Sequence, residues 1–600
     1  MRSLACCAVV ALNAAVKAED SQTAPFPTPS LDPAPLPIAE TSPGTTPPGG
    51  FLLSPGLLNA IRITSIKIYL ENPTPDSQYN KDLRAQIGQA FAVRAGDNFS
   101  ELFFDAGLRR VQQLPFVAAA RYNLYQVQVA GEAVAVLIVR LKPEVASPPA
   151  ETGMLLSGRW SDFPNLYTNQ RSTVVGVFRS GLANFTSGNS WFGRADIFTQ
   201  GNPLATNPAG KGAYDWIDAY GELGVAGITQ LGRIPFYVYG SVTDMLSATV
   251  QPDLFQSNDR SFNQIEDLYG GVVYGYRNDQ SRFAVNLSGG RQDYRISNGM
   301  LFANGASNGS DRGAILLNPR TAFEGTAIGR LRWNDLLLEA FYLNPNELVI
   351  LNTNTTFAGL NLEYNDNRSL QLGFSYITVP QSDFSYFTST DVYSRQGLNV
   401  VYPRLLWRNP LGLNGLWLQA EYAYEWNRHF DMSAQAGWAQ IGTTFQALPW
   451  TPSLSYRYAL FSGDQPSSKA FERFDPLLSG GGPETWIQGS SLVKIYQNSN
   501  LTSQQVIFRL VPDPRFDLSF QYINLMADDL NNLGGTQALS FLQTKEIGQE
   551  LTLTARYNLT RNVLLYGSGS VALPGTAIQR VTNGNPGPWY FLQLSLFVSF

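Results

Sequence analysis

From about residue 155 to residue 600 the chain repeats one pattern: short stretches in which apolar and polar side chains alternate, separated by Asn-, Gly-, Asp- and Pro-rich turns. In "SLSYRYAL", Leu454, Tyr456 and Tyr458 share one face and Ser453, Ser455 and Arg457 the other. "LWLQAEYAYEW" sets Leu418, Ala420, Tyr422 and Tyr424 against Gln419, Glu421 and Glu425. "FDLSFQYI" opposes Phe516, Leu518, Phe520 and Tyr522 to Asp517, Ser519 and Gln521, and "ELTLTARY" groups Glu550, Thr552, Thr554 and Arg556 against Leu551, Leu553, Ala555 and Tyr557. A period of two means strands with one apolar and one polar face. Strands of about ten residues, apolar outside and polar inside, are expected of a transmembrane barrel. A soluble propeller or β-helix could use the same turns, but it would need a sequence repeat of fixed period, and none is evident.

Composition separates membrane from soluble sheet. Charged residues make up 15% of the chain and aromatics 12%, against about 25% charged in an average soluble domain. No run reaches 18 apolar residues, so a helical membrane span is not expected. The final strand, "WYFLQLSLFVSF", aligns Tyr590, Leu592, Leu594, Leu596, Val598 and Phe600 on one face. Gln593, Ser595 and Ser599 lie on the other, interrupted by Phe591 and Phe597. Together these features predict a mainly β protein, a large antiparallel outer-membrane barrel in contact with lipid. Residues 155–600, 446 in all, give roughly 18 strands at about 25 residues per strand and connection. Phe600 is expected to be a signal read by the barrel-assembly machinery.

The first 150 residues differ in kind. Residues 1–18 read as a secretory signal peptide, with Arg2, an apolar stretch from Leu4 to Val16 and a small-residue site at Ala18. Cys6 and Cys7, the chain's two cysteines, fall inside it, so no disulfide is expected after export. Residues 19–55 are a Pro-rich linker, with nine prolines between 19 and 50. Residues 56–145 predict a small α+β domain of order β-α-α-β-β. Leu83, Ile87 and Phe91 share one face of a first helix, and Leu102, Leu108 and Val111 one face of a second. That order resembles a POTRA domain, which implies a periplasmic location for residues 19–145 and a protein partner met through an exposed sheet edge.

Catalysis finds little support. There is one histidine, His429, no metal-ligand cluster and no Gly-rich phosphate loop in a strand-to-helix context, so neither enzyme activity nor a cofactor or metal is expected. The net charge of −5 gives no reason to expect nucleic acid. Charge is instead expected in the lumen: alternation points Arg330, Arg332, Arg457, Arg509 and Arg556 inward, together with Glu339, Glu421, Glu425, Asp517 and Glu550. Residues 155–600 hold 26 Arg but 4 Lys, with 34 Asp plus Glu. Arginine keeps its charge and matches carboxylates with a planar fork. Clustered, these residues would favour anionic solutes; interleaved with acids, they would brace the wall.

The segment "YRYALFSGD" followed by "FERFDPLLSGGGPETWIQGSSLVKIYQNSNL" carries Ser462, Gly463 and Asp464, then Phe474, Asp475, Pro476 and Leu477. With the tail "EIGQELTLTARYNLTRNVLLYGSGSVALPG", it resembles the alginate-export family of outer-membrane barrels. The resemblance implies an 18-stranded, arginine-lined pore for acidic polysaccharide, with loops as plugs; Ser479 to Pro483 is a candidate plug. The run "LSGGGPETW" departs from the family's continuation, and the N-terminal domain is foreign to the simplest exporters. A POTRA-like domain also suits Omp85 and two-partner secretion barrels, but the Arg-Gly-aromatic motif of those proteins is missing, since Arg312-Gly313 is followed by Ala314. A general diffusion porin is the third reading.

Overall fold

In the computed structural model the described residues are 46–47, 49–53, 61–127, 132–142, 165–168, 171–199, 210–232, 234–277, 282–366, 369–480, 487–560 and 562–599. The expected signal peptide, most of the linker, Phe600 and Gly481 to Pro483 lie outside them.

The N-terminal part builds a four-stranded sheet from β1 (Phe51–Leu52), β2 (Arg62–Leu70), β3 (Val117–Gln126) and β4 (Glu132–Leu141). Helices α1 (Ser77–Phe91) and α2 (Glu101–Gln112) separate β2 from β3. The sheet order is β1-β3-β4-β2, with β2 parallel to β4. Asp76 caps α1 by accepting from the backbone N–H groups of Gln78 and Tyr79. Leu83, Ile87 and Phe91 of α1 are buried with Leu108 and Val111 of α2. Edge-on contacts of Phe104 with Phe91 and Tyr122 join both helices to the sheet.

The rest is a closed antiparallel barrel. A short β5 (Asn165–Thr168) is followed by β6 (Ser172–Gly188), β7 (Ala213–Gln230), β8 (Phe236–Val250), β9 (Arg260–Arg277), β10 (Arg282–Arg291), β11 (Gly325–Trp333), β12 (Leu336–Asn344), β13 (Thr356–Asn365) and β14 (Leu370–Gln381). A two-stranded ribbon, β15 (Ser385–Phe387) and β16 (Val392–Ser394), leads to β17 (Leu398–Arg408), β18 (Leu416–Asn427), β19 (Ala434–Thr444), β20 (Ser453–Phe461), β21 (Leu501–Asp513), β22 (Phe516–Ala527), β23 (Glu546–Asn558), β24 (Val563–Pro574) and β25 (Trp589–Ser599). Eighteen long strands close the cylinder where β25 pairs with β6 from Tyr590↔Gly188 to Ser599↔Arg179. Closure leaves no unpaired edge in the membrane.

Alternation decides what each face meets. On β25, Tyr590, Leu592, Leu594 and Leu596 are exposed to the outside, while Phe591, Gln593 and Ser595 are buried within. Leu454, Tyr456 and Tyr458 of β20 and Leu551 and Leu553 of β23 are likewise exposed outward. The expected eighteen-stranded outer-membrane barrel is therefore what the chain forms. Its two ends differ. Turns such as Asn334–Asp335 and Pro514–Arg515 join strands at one end, and connections such as 292–324 and 462–500 do so at the other. In outer-membrane barrels the short turns face the periplasm and the long loops face outward.

Candidate functional site: a lumen filled from both ends

The lumen is occupied. At the short-turn end the N-terminal domain sits in the barrel mouth. Asp97 meets Arg332, with Nη2 2.5 Å from Oδ1, and Glu132 accepts from Arg408 Nη2 at 2.6 Å. Arg62 donates to Glu363, which also receives Arg404 Nη2 at 3.4 Å. Arg509 donates through Nη1 to the Val127 carbonyl at 3.0 Å, and Arg556 through Nη1 to Gln126 Oε1 at 3.0 Å. The Arg556 guanidinium also lies 4.5 Å from the centre of the Phe51 ring. Backbone joins in: Leu52 N–H donates to the Pro514 carbonyl, and Asn558 Nδ2 to the Leu52 carbonyl. Burial pushes the Glu132 carboxyl above its ordinary value, with Arg408 and Arg62 pulling the other way.

On the opposite wall the contact is apolar. Leu102 and Ala106 of α2 pack on Val175 and Val177 of β6, Ala226 and Ile228 of β7, and Tyr239 of β8. Phe103 meets Tyr239 edge-on at 4.9 Å. Those barrel side chains point into the lumen, where an open aqueous pore would leave them wet. An amphipathic helix face covers them instead.

At the long-loop end the described parts of connections 292–324 and 462–500 run side by side: Leu478 N–H donates to the Leu301 carbonyl and Ala303 N–H to that of Leu478. Ser479 and Gly480, the described part of the candidate plug, belong to this pairing, since Gly480 N–H donates to the Gly299 carbonyl. Wall acids hold the loops. Glu421 accepts from Ser297 Oγ at 2.6 Å. Glu425 accepts from the Asp475 N–H at 2.8 Å, and Glu550 accepts from the N–H groups of Ser490, Ser491 and Leu492 at 2.5, 2.9 and 3.0 Å. Phe302 contacts Phe341 and Phe357 in a dry cluster that also takes in Phe474, Leu492 and Phe591.

Between the two fillings lies a cavity of about 750 Å³, lined by Glu222, Asp267 and Asp293 among others. Glu222 pairs with Arg179 at 3.3 Å. An irregularity opposite Val242 and Asp244 sends the neighbouring Glu266 and Asp267 away from the lipid face that carries Ile265 and Leu268, a typical use of a bulge to re-aim side chains.

The residues singled out from the sequence thus fall into two layers. Arg330 is paired with Glu339 at 2.7 Å. Arg457 donates to Gln440 and Gln505 and covers the Trp438 ring at 4.9 Å. Arg509 and Arg556 converge on Asp517. Glu425 and Glu550 hold loop 462–500, while Glu421 stands opposite Arg404 at mid-strand and also reaches Ser297 of connection 292–324. The motif residues build the root of loop 462–500. Ser462 Oγ donates to the Glu472 carbonyl, Asp464 accepts from the Glu472 N–H, and Gly463 N–H donates to Asp528. Phe474 packs on Phe461, Asp475 binds Arg395 bidentately at 2.7 and 3.0 Å, and Pro476 and Leu477 continue into the paired stretch. His429 lies against Gly397.

Sequence reading missed Arg404, Arg408 and Glu363 in the wall, and Arg62, Asp97 and Glu132 in the N-terminal domain. It also missed that the lumen arginines have the domain as partner. One signal was present. Val175, Val177, Ala226, Ile228, Phe341, Phe357 and Phe591 are apolar residues on the inward face of their strands, and each marks a place where something covers the wall.

A sequence model of the family described as "Alginate export" matches residues 243–585, more than half of the chain and entirely within the barrel. The chain belongs to the alginate export family. Among solved structures, this family member is similar to OccK5 (OpdH) of Pseudomonas aeruginosa at 10% identity, covering 71% of this chain and 98% of that one with a TM-score of 0.41. OpdK of Pseudomonas aeruginosa and OccAB2 of Acinetobacter baumannii match with the same coverage and TM-score at 12% identity. No curated protein sequence matches this alginate export family chain.

Proposed function

We propose that this outer-membrane barrel is a channel that passes an acidic polysaccharide, or a related anionic solute, between periplasm and exterior, and that its N-terminal domain is a POTRA-like module acting at the periplasmic mouth. The family supports transport of polysaccharide or solute. The observation that carries the acidic substrate is an arc of charge on the lumen face of β11 to β23. Among the described residues, Arg330, Arg332, Arg404, Arg408, Arg457, Arg509 and Arg556 face four carboxylates, Glu339, Glu363, Glu421 and Asp517, in the part of the lumen nearest the short turns, an excess of three positive charges (7 − 4). Arginine forks offer a polymer many replaceable contacts, and conduction needs binding that is favourable but not strong.

The test is single-channel current of the purified protein in a planar bilayer, titrated with acidic and neutral oligosaccharides. Reversible block by acidic sugars, weakened by Arg457→Ala, is the expected outcome. Equal response to neutral sugars would remove the acidic substrate and leave a general porin. Current that responds to unfolded polypeptide alone would favour protein translocation.

A further inference from the structure

We propose that the N-terminal domain is an intramolecular stand-in for the transported polymer, holding the arginine arc with its own oxygens until a polyanionic chain arriving from the short-turn side displaces it. The inference rests on the channel reading above and names how that channel is gated.

Toward the arginines of the arc the domain presents what an acidic sugar chain would present, although its Arg62 also meets the wall carboxylate Glu363. Asp97 and Glu132 give carboxylates to Arg332 and Arg408. The carbonyls of Ala95 and Val127 and the amide oxygen of Gln126 accept from Arg332, Arg509 and Arg556. Five acceptors therefore stand where carboxylates and hydroxyls of a polyuronate could stand. A ligand opens a gate in proportion to its preference for the open state. A polymer that binds only the bared arc has that preference built in, because the domain and the polymer cannot hold the same guanidinium groups. Reciprocity follows: loosening the domain must tighten polymer binding by the same factor.

The contact also offers a lock. A Cβ added at Gly96 would lie 3.7 Å from Cβ of Asn365 on β13, within the usual span of a disulfide. Cys6 and Cys7 are the chain's own cysteines, so a chain starting at residue 19 has no competing thiol. Gly96 has φ +88°, so a side chain there carries strain, but oxidised and reduced forms of one variant share that strain and the comparison stays internal.

The experiment uses Gly96→Cys/Asn365→Cys in liposomes, with polygalacturonate as the probe and dextran as the neutral control. In the reduced form, polygalacturonate should raise maleimide labelling of the two thiols about tenfold, within the range of ordinary ligand coupling, and dextran should leave it unchanged. In the oxidised form, current should stay closed whatever polymer is added and appear on reduction with polygalacturonate present. Labelling that ignores polygalacturonate, or responds equally to dextran, overturns the proposal whatever the current does. So does an oxidised form that conducts as freely as the reduced one. Labelling that rises with polygalacturonate while no current appears supports displacement of the domain and counts against the channel reading, which separates the two.

Discussion

The two ends of the lumen are filled by different kinds of contact. At the long-loop end, aromatic and aliphatic side chains from loops and wall form one dry cluster, and wall carboxylates accept from backbone N–H groups of the loops. At the short-turn end, the wall meets a folded domain through arginines, with one apolar patch on the far side. Loop backbone buried against a wall acid has no comparable partner elsewhere, so leaving is costly. A guanidinium and a carboxylate that part here both regain the water that burial took from them, which offsets much of the lost attraction. On that reckoning the loop contacts cost more to break than the domain contacts.

The sharpest way to break that contrast is in the aromatic cluster. Phe302 has 0% exposure and touches both Phe341 and Phe357. Phe302→Ala should cost about 3–5 kcal/mol, as large-to-small changes at packed aromatic sites do. The loss should appear in urea unfolding followed by the heat-modifiable gel shift, and 1 M salt should not change it. Next comes Glu550→Ala, which strands three buried N–H donors; about 1–3 kcal/mol of loop closure should be lost, read as faster proteolytic nicking within 462–500. If either change loosens the N-terminal domain as much as the loop, the two ends are one cooperative unit and the contrast fails.

A smaller effect is expected at the other end. Arg408→Ala removes the partner of a buried Glu132 and should weaken docking by about 1–2 kcal/mol, less than a fully buried pair because the Arg408 side chain keeps some exposure. Adding Glu132→Gln should recover part of the loss by removing the stranded charge. Domain release, followed by thiol labelling at Asn365→Cys, should rise with salt in the native protein and less so in Arg408→Ala, since screening acts on the same pairs. Salt-independent docking would show the apolar patch of Leu102 and Ala106 to be the real anchor.

The barrel was legible because alternation is a local property. Leu454, Tyr456 and Tyr458 must face lipid once Arg457 faces in, and any register error would invert the set. The two helices of the N-terminal domain were legible for the same reason, from Leu83, Ile87 and Phe91. What fills the lumen was not. Asp97 meets Arg332 and Glu132 meets Arg408 across hundreds of residues, and no local period encodes such pairs. Arginine excess suits a bare anion path or a braced wall, and neither reading anticipates that a domain of the same chain contacts those arginines. The interruptions at Val175, Ile228 and Phe591 were visible as exceptions. Their meaning depended on knowing that helix α2 and loop 462–500 reach them.

The smallest effect concerns the lysine of loop 462–500 that packs on the aromatic cluster. Lys494 donates to the Ser490 carbonyl and its ammonium lies 3.6 Å from the centre of the Phe591 ring. Burial pushes this amine down to about 7, with Glu550 the carboxylate that opposes the shift. An opened loop would return it to its ordinary value of 10.5. Between those values the open loop binds a proton that the closed loop does not, so closure strengthens as pH rises through that window. Below about 7 both states carry the charge, and the full cost of burying the ammonium remains. Nicking of the loop in native protein, divided by nicking in Lys494→Met, should therefore be larger at pH 6 than at pH 9. The ratio cancels the protease's own pH dependence. A ratio that does not change would mean that the ring and the Ser490 carbonyl solvate the ammonium as well as water does.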